Sequence, residues 1–151
     1  MLRERFNDAM KQAMRAKDTL TLSTVRLILA RLKERDIEVR PKGNLEGIAD
    51  PEIQQMLMGM IKQRRESIDL YEKGGRADLA DKERGEIAVI EGFLPHQMDA
   101  AEQEAAIAET IAAIGAAGIK DMGRTMAALR ERYAGRIDAS RASQVVKRML
   151  G

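Results

Sequence analysis

The sequence contains no cysteine and no tryptophan, a single histidine, three prolines, and only two tyrosines and two phenylalanines. Each scarcity removes a class of chemistry. Without cysteine there are no disulfides, no thiolate metal sites and no cysteine nucleophile, and a reducing cytoplasm is the compartment such a chain suits. With one histidine, His96, a histidine metal cluster cannot form, and a Ser-His-Asp relay would rest on one residue in a linker. Aromatics at 3% leave few rings on which single-stranded bases could stack. No apolar run is long enough for a signal peptide or a membrane span, since Glu109 interrupts the stretch from Ala105 to Ile119. The expectation is a soluble, cytoplasmic protein without a cofactor.

What is abundant is Ala, Leu, Met, Arg, Glu and Lys, the residues that lose least side-chain freedom in a helix, and no segment alternates as a strand does. An all-α fold follows. The net charge of +2 conceals a gradient: residues 1–44 carry a surplus of +5, residues 45–95 and 96–118 each stand at −4, and residues 119–151 return to +5. Basic ends around an acidic middle favour an anionic partner at the ends.

Helical spacing assigns Leu2 to Ala16 to a first helix with Phe6, Ala9, Met10, Ala13 and Met14 on its apolar face. A restart at Asp18-Thr19 opens a second, carried by Leu22, Val25, Leu29, Leu32 and Ile37, with Leu20, Leu27 and Ile28 widening the stripe. Arg40 to Asn44 reads as a loop. Asp50-Pro51-Glu52 opens a third helix with Asp50 as N-cap, ending at Gly74-Gly75, and a fourth runs from about Ala77 to Glu91 on Leu79, Ile87 and Ile90. Lys62, Arg64 and Arg65 are expected to pair on the helix surface with Glu66 and Asp69. Gly92 to Pro95 marks a border, because Pro95 biases Leu94 away from helix. The architecture expected is a four-helix N-terminal part, residues 1–93, and a three-helix C-terminal part, residues 94–151.

In that second part Asp99 caps a helix whose small face is Ala101, Ala105, Ala108, Ile111 and Ala112, ending near Gly115 to Gly118. A short helix follows in which Asp121 is the N-cap, Met122, Met126, Leu129 and Tyr133 share a face, and Gly135 supplies a left-handed turn. Asp138 then caps a last helix carrying Ala142, Val145, Val146, Met149 and Leu150. Lys120, Arg124, Arg130, Arg132 and Arg136 are left for solvent. Residues 118–125 stop one residue short of a phosphate-cradling loop, with Arg124 where the lysine belongs, but no strand precedes them and the reading fails. Gly115-Ala-Ala-Gly118 similarly lacks the strands of a KH domain. Acid pairs such as Asp78 and Asp81 lie among opposing charges, and nothing indicates a pocket that would separate their pKa values. What remains is a cluster of bases at helix ends and turns, where backbone N–H groups also bind phosphate oxygens, and structured RNA is the partner this suits. A protein adaptor working through a methionine-rich face is the alternative.

Two motif groups sharpen this. Ile90-Glu91-Gly92-Phe93-Leu94-Pro95-His96-Gln97-Met98 resembles the pattern of an apolar residue, Glu, then Tyr/Phe-Leu-Pro-x-Gln-Leu/Met. Asp121-Met122-Gly123-Arg124-Thr125-Met126 with Gly135-Arg136-Ile137-Asp138 resembles Asp-Met-Gly-x-x-Met followed by Gly-Lys/Arg-x-Asp. Over nearly its whole length the chain is similar to the YqeY-like proteins, whose C-terminal half resembles the tail of the B subunit of the glutamine-dependent aspartyl/glutamyl-tRNA amidotransferase. The resemblance implies a helical domain plus a three-helix tail that grips tRNA, and no catalysis, since the kinase and amidase centres of that enzyme lie in parts absent here. It makes Lys120, Gly123, Arg124, Gly135 and Arg136 the tRNA-facing residues, to which the same basic stretch adds Arg130, Arg141 and Lys147. The N-terminal helices would meet a protein partner. The sequence departs from the family pattern at Asp138-Ala139 and at Arg130-Glu131-Arg132.

Overall fold

The computed structural model describes residues 1–151 and contains helices and turns but no strand. Seven α-helices follow one another: α1 (Leu2–Ala16), α2 (Thr19–Val39), α3 (Asp50–Lys73), α4 (Ala77–Glu91), α5 (Ala100–Ile114), α6 (Met122–Arg132) and α7 (Ala139–Leu150). Short 3-10 turns occupy Arg40–Lys42, where a plain loop was expected, and Ile119–Asp121. No helix is long and apolar enough to cross a membrane. The chain divides into two compact units, Met1–Leu94 and Pro95–Gly151.

In the first unit α1 buries Leu2, Phe6 and Ala13 while Met14 stays exposed. It ends with Lys17 in the left-handed region, φ 56°, so that the Lys17 and Asp18 N–H groups reach back to Met14 and Ala13. Asp18 then caps α2 by accepting the Thr21 N–H at 3.1 Å. The buried stripe of α2 is Thr24, Val25, Ile28 and Leu32. Ile37 and Leu27, placed inward by spacing, are about half exposed. Thr24 is accommodated because its hydroxyl donates to the Leu20 carbonyl at 2.8 Å.

Helix α3 supplies the largest share of the core through Ile53, Met56, Leu57, Met60 and Ile61. Its N-cap is Ala49 rather than Asp50; with Pro51 in the first turn, Asp50 lies inside the helix, where its carboxylate suits the dipole without bonding an N–H. Phe6 and Phe93 meet edge to face at 4.9 Å between centroids. The Arg5 guanidinium lies 5.5 Å over Phe93 and donates to the Gly92 carbonyl at 3.0 Å. Arg3 forks onto Asp36 at 2.7 and 2.8 Å and donates to Ile48 O, while Asp36 accepts the Ile48 N–H. Gly47 makes room for this clamp, since a Cβ there would fall 2.4 Å from an Asp36 oxygen.

Arg64 does not pair along its own helix with Glu66 or Asp69 as expected. It reaches Glu86 of α4 at 2.8 Å and donates to Met60 O, with its side chain 12% exposed and that of Glu86 10%. Glu66 at i+2 and Asp69 at i+5 do not face Arg64 on the helix, whereas Glu86 lies within hydrogen-bond reach across the helix pair.

In the second unit α5 turns a different face inward from the alanine stripe. Ala101, Ala105, Ala108 and Ala112 are exposed, whereas Gln103, Ala106, Ile107 and Thr110 are buried. Burying Ile107 gains more than burying alanines, and the polar neighbours are satisfied locally: Gln103 donates to Met98 O and Thr110 to Ala106 O. Ile107, Met126, Leu129, Ile137, Ala142 and Val146 form the core.

Two stability measurements test this account. Replacing Arg64 with Met should cost about 3 kcal/mol by urea denaturation, because it strands a buried carboxylate, and the double variant Arg64→Met/Glu86→Leu should recover most of the loss. Lys17→Gly should instead stabilise by about 1 kcal/mol, since glycine occupies the left-handed region without penalty.

Candidate nucleic-acid interface

Within the second unit the last four residues of the first motif group meet the turn of the second. The strap Pro95–Met98 lies against the turn at Gly135–Arg136: the Gln97 amide donates to Gly135 O, Met98 N–H to Arg136 O at 3.0 Å, and Arg136 Nε to His96 O at 3.2 Å. The Arg136 guanidinium also lies 5.9 Å from the Tyr133 ring centroid. Gly135 has φ 74°, as the turn pattern anticipates, and is buried. Asp138 accepts the Ser140 N–H at 2.9 Å and caps α7, with Ala139 as the first residue of the helix. His96 itself is exposed and 3.1 Å from Glu102.

The end of α5 is held by a second cluster. Gly115 closes the helix in the left-handed region, φ 67°. Arg124 donates to the Ile114 carbonyl at 2.6 Å and pairs with Asp121 at 3.2 Å. Asp121 does not cap the first turn of α6; its carboxylate reaches backwards to the Ala117 N–H at 2.9 Å. The reason is the 3-10 turn, which runs directly into α6 and gives the Met122 N–H the Ile119 carbonyl as partner. Three backbone amides at these helix starts are therefore unavailable to phosphate: Ala117 bonds Asp121, Met122 bonds Ile119 and Ser140 bonds Asp138.

The structure thus sorts the eight candidate residues. Arg124 and Arg136 each spend donors on a carbonyl, and Gly135 is inaccessible. Lys120, Arg130, Arg141 and Lys147 are exposed and form no ion pair. Gly123 is exposed, with open space where a Cβ would lie. Arg148 pairs with Glu104 at 2.6 Å, and Arg132 donates to the Thr110 hydroxyl at 3.3 Å. Lys120, Gly123, Ala127 and Arg130 follow one another at helical spacing and all face solvent, which makes a shallow strip about 15 Å long with a cation at each end. Ala127 was not among the candidates, and only its i, i+4 relation to Gly123 marks it in the sequence. No three His, Asp or Glu side chains converge as metal ligands would.

Among proteins of known sequence, the chain is similar to the Altered inheritance of mitochondria protein 41, mitochondrial, of Eremothecium gossypii, with 37% identity over 120 residues, covering 80% of this chain and 60% of that protein. The protein of the same name in Lachancea thermotolerans is 34% identical over 95 residues, 63% of this chain and 49% of its own. An uncharacterized protein of Schizosaccharomyces pombe is 32% identical over 95 residues, 63% of this chain and 70% of its own. This chain therefore spans about half to three-fifths of the first two. A family model described as Yqey-like protein matches residues 3–150.

The Asp121 carboxyl is held below its ordinary value of 3.8, first by the Ala117 N–H and then by Arg124. A carboxyl with a lowered folded pKa contributes stability above its unfolded value and loses it as pH falls through the folded one. Asp121→Asn should therefore lower the melting temperature at neutral pH and flatten the decline below about pH 4, as followed by circular dichroism.

Proposed function

The chain belongs to the YqeY-like family, and on that footing we propose that it is a non-catalytic RNA-binding accessory protein that holds structured RNA, tRNA foremost, against residues 119–151. The observation that carries the reading is the strip of Lys120, Gly123, Ala127 and Arg130, exposed throughout and free of acidic partners. Its small central residues let a sugar-phosphate backbone approach the helix, and the flanking cations neutralise phosphates. Arg141 and Lys147 of α7 add charge. With few aromatics, recognition reads backbone and shape rather than stacked bases.

The similarity of residues 121–126 and 135–138 to an amidotransferase tail supports tRNA over other RNAs. It associates the chain with amide transfer on charged tRNA, a carbon-nitrogen ligation with glutamine as donor, in which this protein would present the RNA and the chemistry would belong to another chain. A second reading, the helical adaptor, is favoured by Leu27, Ile37 and Leu70, exposed by 47%, 48% and 69%. Methionine does not supply such a surface, because of ten methionines only Met1 and Met14 are exposed.

Fluorescence anisotropy against bulk tRNA at several salt concentrations tests the proposal. Affinity should fall steeply with salt, and each of Lys120→Glu, Arg130→Glu, Arg141→Glu and Lys147→Glu should reduce the log-log slope by about 0.7–0.9. Unchanged affinity in the fourfold variant would assign the function to the apolar positions instead.

A further inference from the structure

Between α2 and α3 lies a half-open groove of about 280 Å³. Arg31 and Arg35 form one wall, Gln55, Gly59 and Gln63 the other, and Met56 and Met60 lie between them. The two arginines are one turn apart on α2, which places like charges side by side. Their acidic neighbours compensate little: Arg31 meets Glu34 at 2.9 Å and Arg35 meets Glu38 at 3.4 Å, both on the exposed surface, where such pairs are weak. Arg35 Nε is buried and has no hydrogen-bond partner, a costly state for a charged donor. Turning the guanidinium away from Glu38 would be needed to bring this donor to an acceptor in the groove.

The opposite wall has a matching gap. Gln55, Gly59 and Gln63 recur every four residues on one exposed stripe of α3, and the central position has no side chain. A Cβ at Gly59 would meet nothing within 4 Å, so packing does not demand glycine there, while the middle of a helix disfavours it. The groove is open because that residue is missing its side chain.

We infer that this groove binds a dianionic phosphate group. Two guanidiniums on one wall and two amides on the other match its charge and three terminal oxygens, whereas a carboxylate has half the charge and two oxygens. The volume exceeds that of the phosphate alone and leaves space over Met56 and Met60 for a short apolar substituent. The phosphate comes either from a small phosphomonoester or from free phosphate. The site lies within Met1–Leu94 and does not rest on the RNA reading.

The test is a nitrogen-15 NMR titration of the full chain with inorganic phosphate, propyl phosphate and acetate, following the Arg35 Nε–H and the Gly59 amide. Both phosphates should produce saturable shifts at these positions, with acetate about tenfold weaker or more. Tighter binding of propyl phosphate, by about fourfold for each methylene buried, assigns the phosphomonoester, and equal affinity assigns free phosphate. Gly59→Leu should fill the groove and abolish binding, and Arg35→Lys, which keeps the charge but loses the fork, should weaken it about tenfold. Both variants should retain a folded amide spectrum and unchanged tRNA affinity. Absence of saturation, equal binding of acetate, or unaltered binding in folded Gly59→Leu would overturn the assignment.

Discussion

The structure depends on arginine guanidiniums bonded to backbone carbonyls. Arg3 holds Ile48 O, Arg5 holds Gly92 O, Arg64 holds Met60 O, Arg124 holds Ile114 O and Arg136 holds His96 O. A chain this poor in aromatics has few large side chains with which to fasten loops to helices, and short helices leave many carbonyls unpaired at their ends. A guanidinium has five donors on a long stem, so it can satisfy a distant carbonyl and still pair with a carboxylate, as Arg3 does with Asp36 and Arg124 with Asp121. Net charge is therefore a poor measure of what is available to a partner.

That distinction shapes the functional reading. Eight bases in the last 33 residues suggest a strongly cationic face. Four of them, Arg124, Arg132, Arg136 and Arg148, are engaged in holding the unit together, and the cations left over are Lys120, Arg130, Arg141 and Lys147. On the proposed reading, phosphate contacts from these four cations would give salt-sensitive binding of modest strength.

Helix boundaries were legible to within about a residue where a cap or a breaker marked them, although Asp50 and Asp121 stand at theirs without accepting a first-turn N–H. Asp18, Asp99 and Asp138 sit at their caps, and Gly115 and Gly135 adopt the left-handed turns their positions imply. Facing was legible where apolar residues were bulky and polar ones long, as in α3. It was not legible in α5, where alanine is nearly everywhere: small side chains barely discriminate between inside and outside, and Gln103 and Thr110 went in because nearby carbonyls received them. Among the site residues, exposure of Lys120 and Arg130 could be read from spacing. The use of Arg124, Arg136 and Asp121 could not, because each partner is a backbone group or lies across a turn whose geometry the sequence does not state.

The bonds of Arg124 have a thermodynamic corollary. The same guanidinium that closes the C-terminus of α5 stands exposed, so an external anion drawn to it would share its donors with the Ile114 carbonyl and Asp121. By reciprocity, an anion that displaced the Ile114 carbonyl would loosen the helix end by the same factor by which a tightened end would weaken the hold on that anion. Folding of the turn and occupancy of the surface beside it are two readings of a single equilibrium.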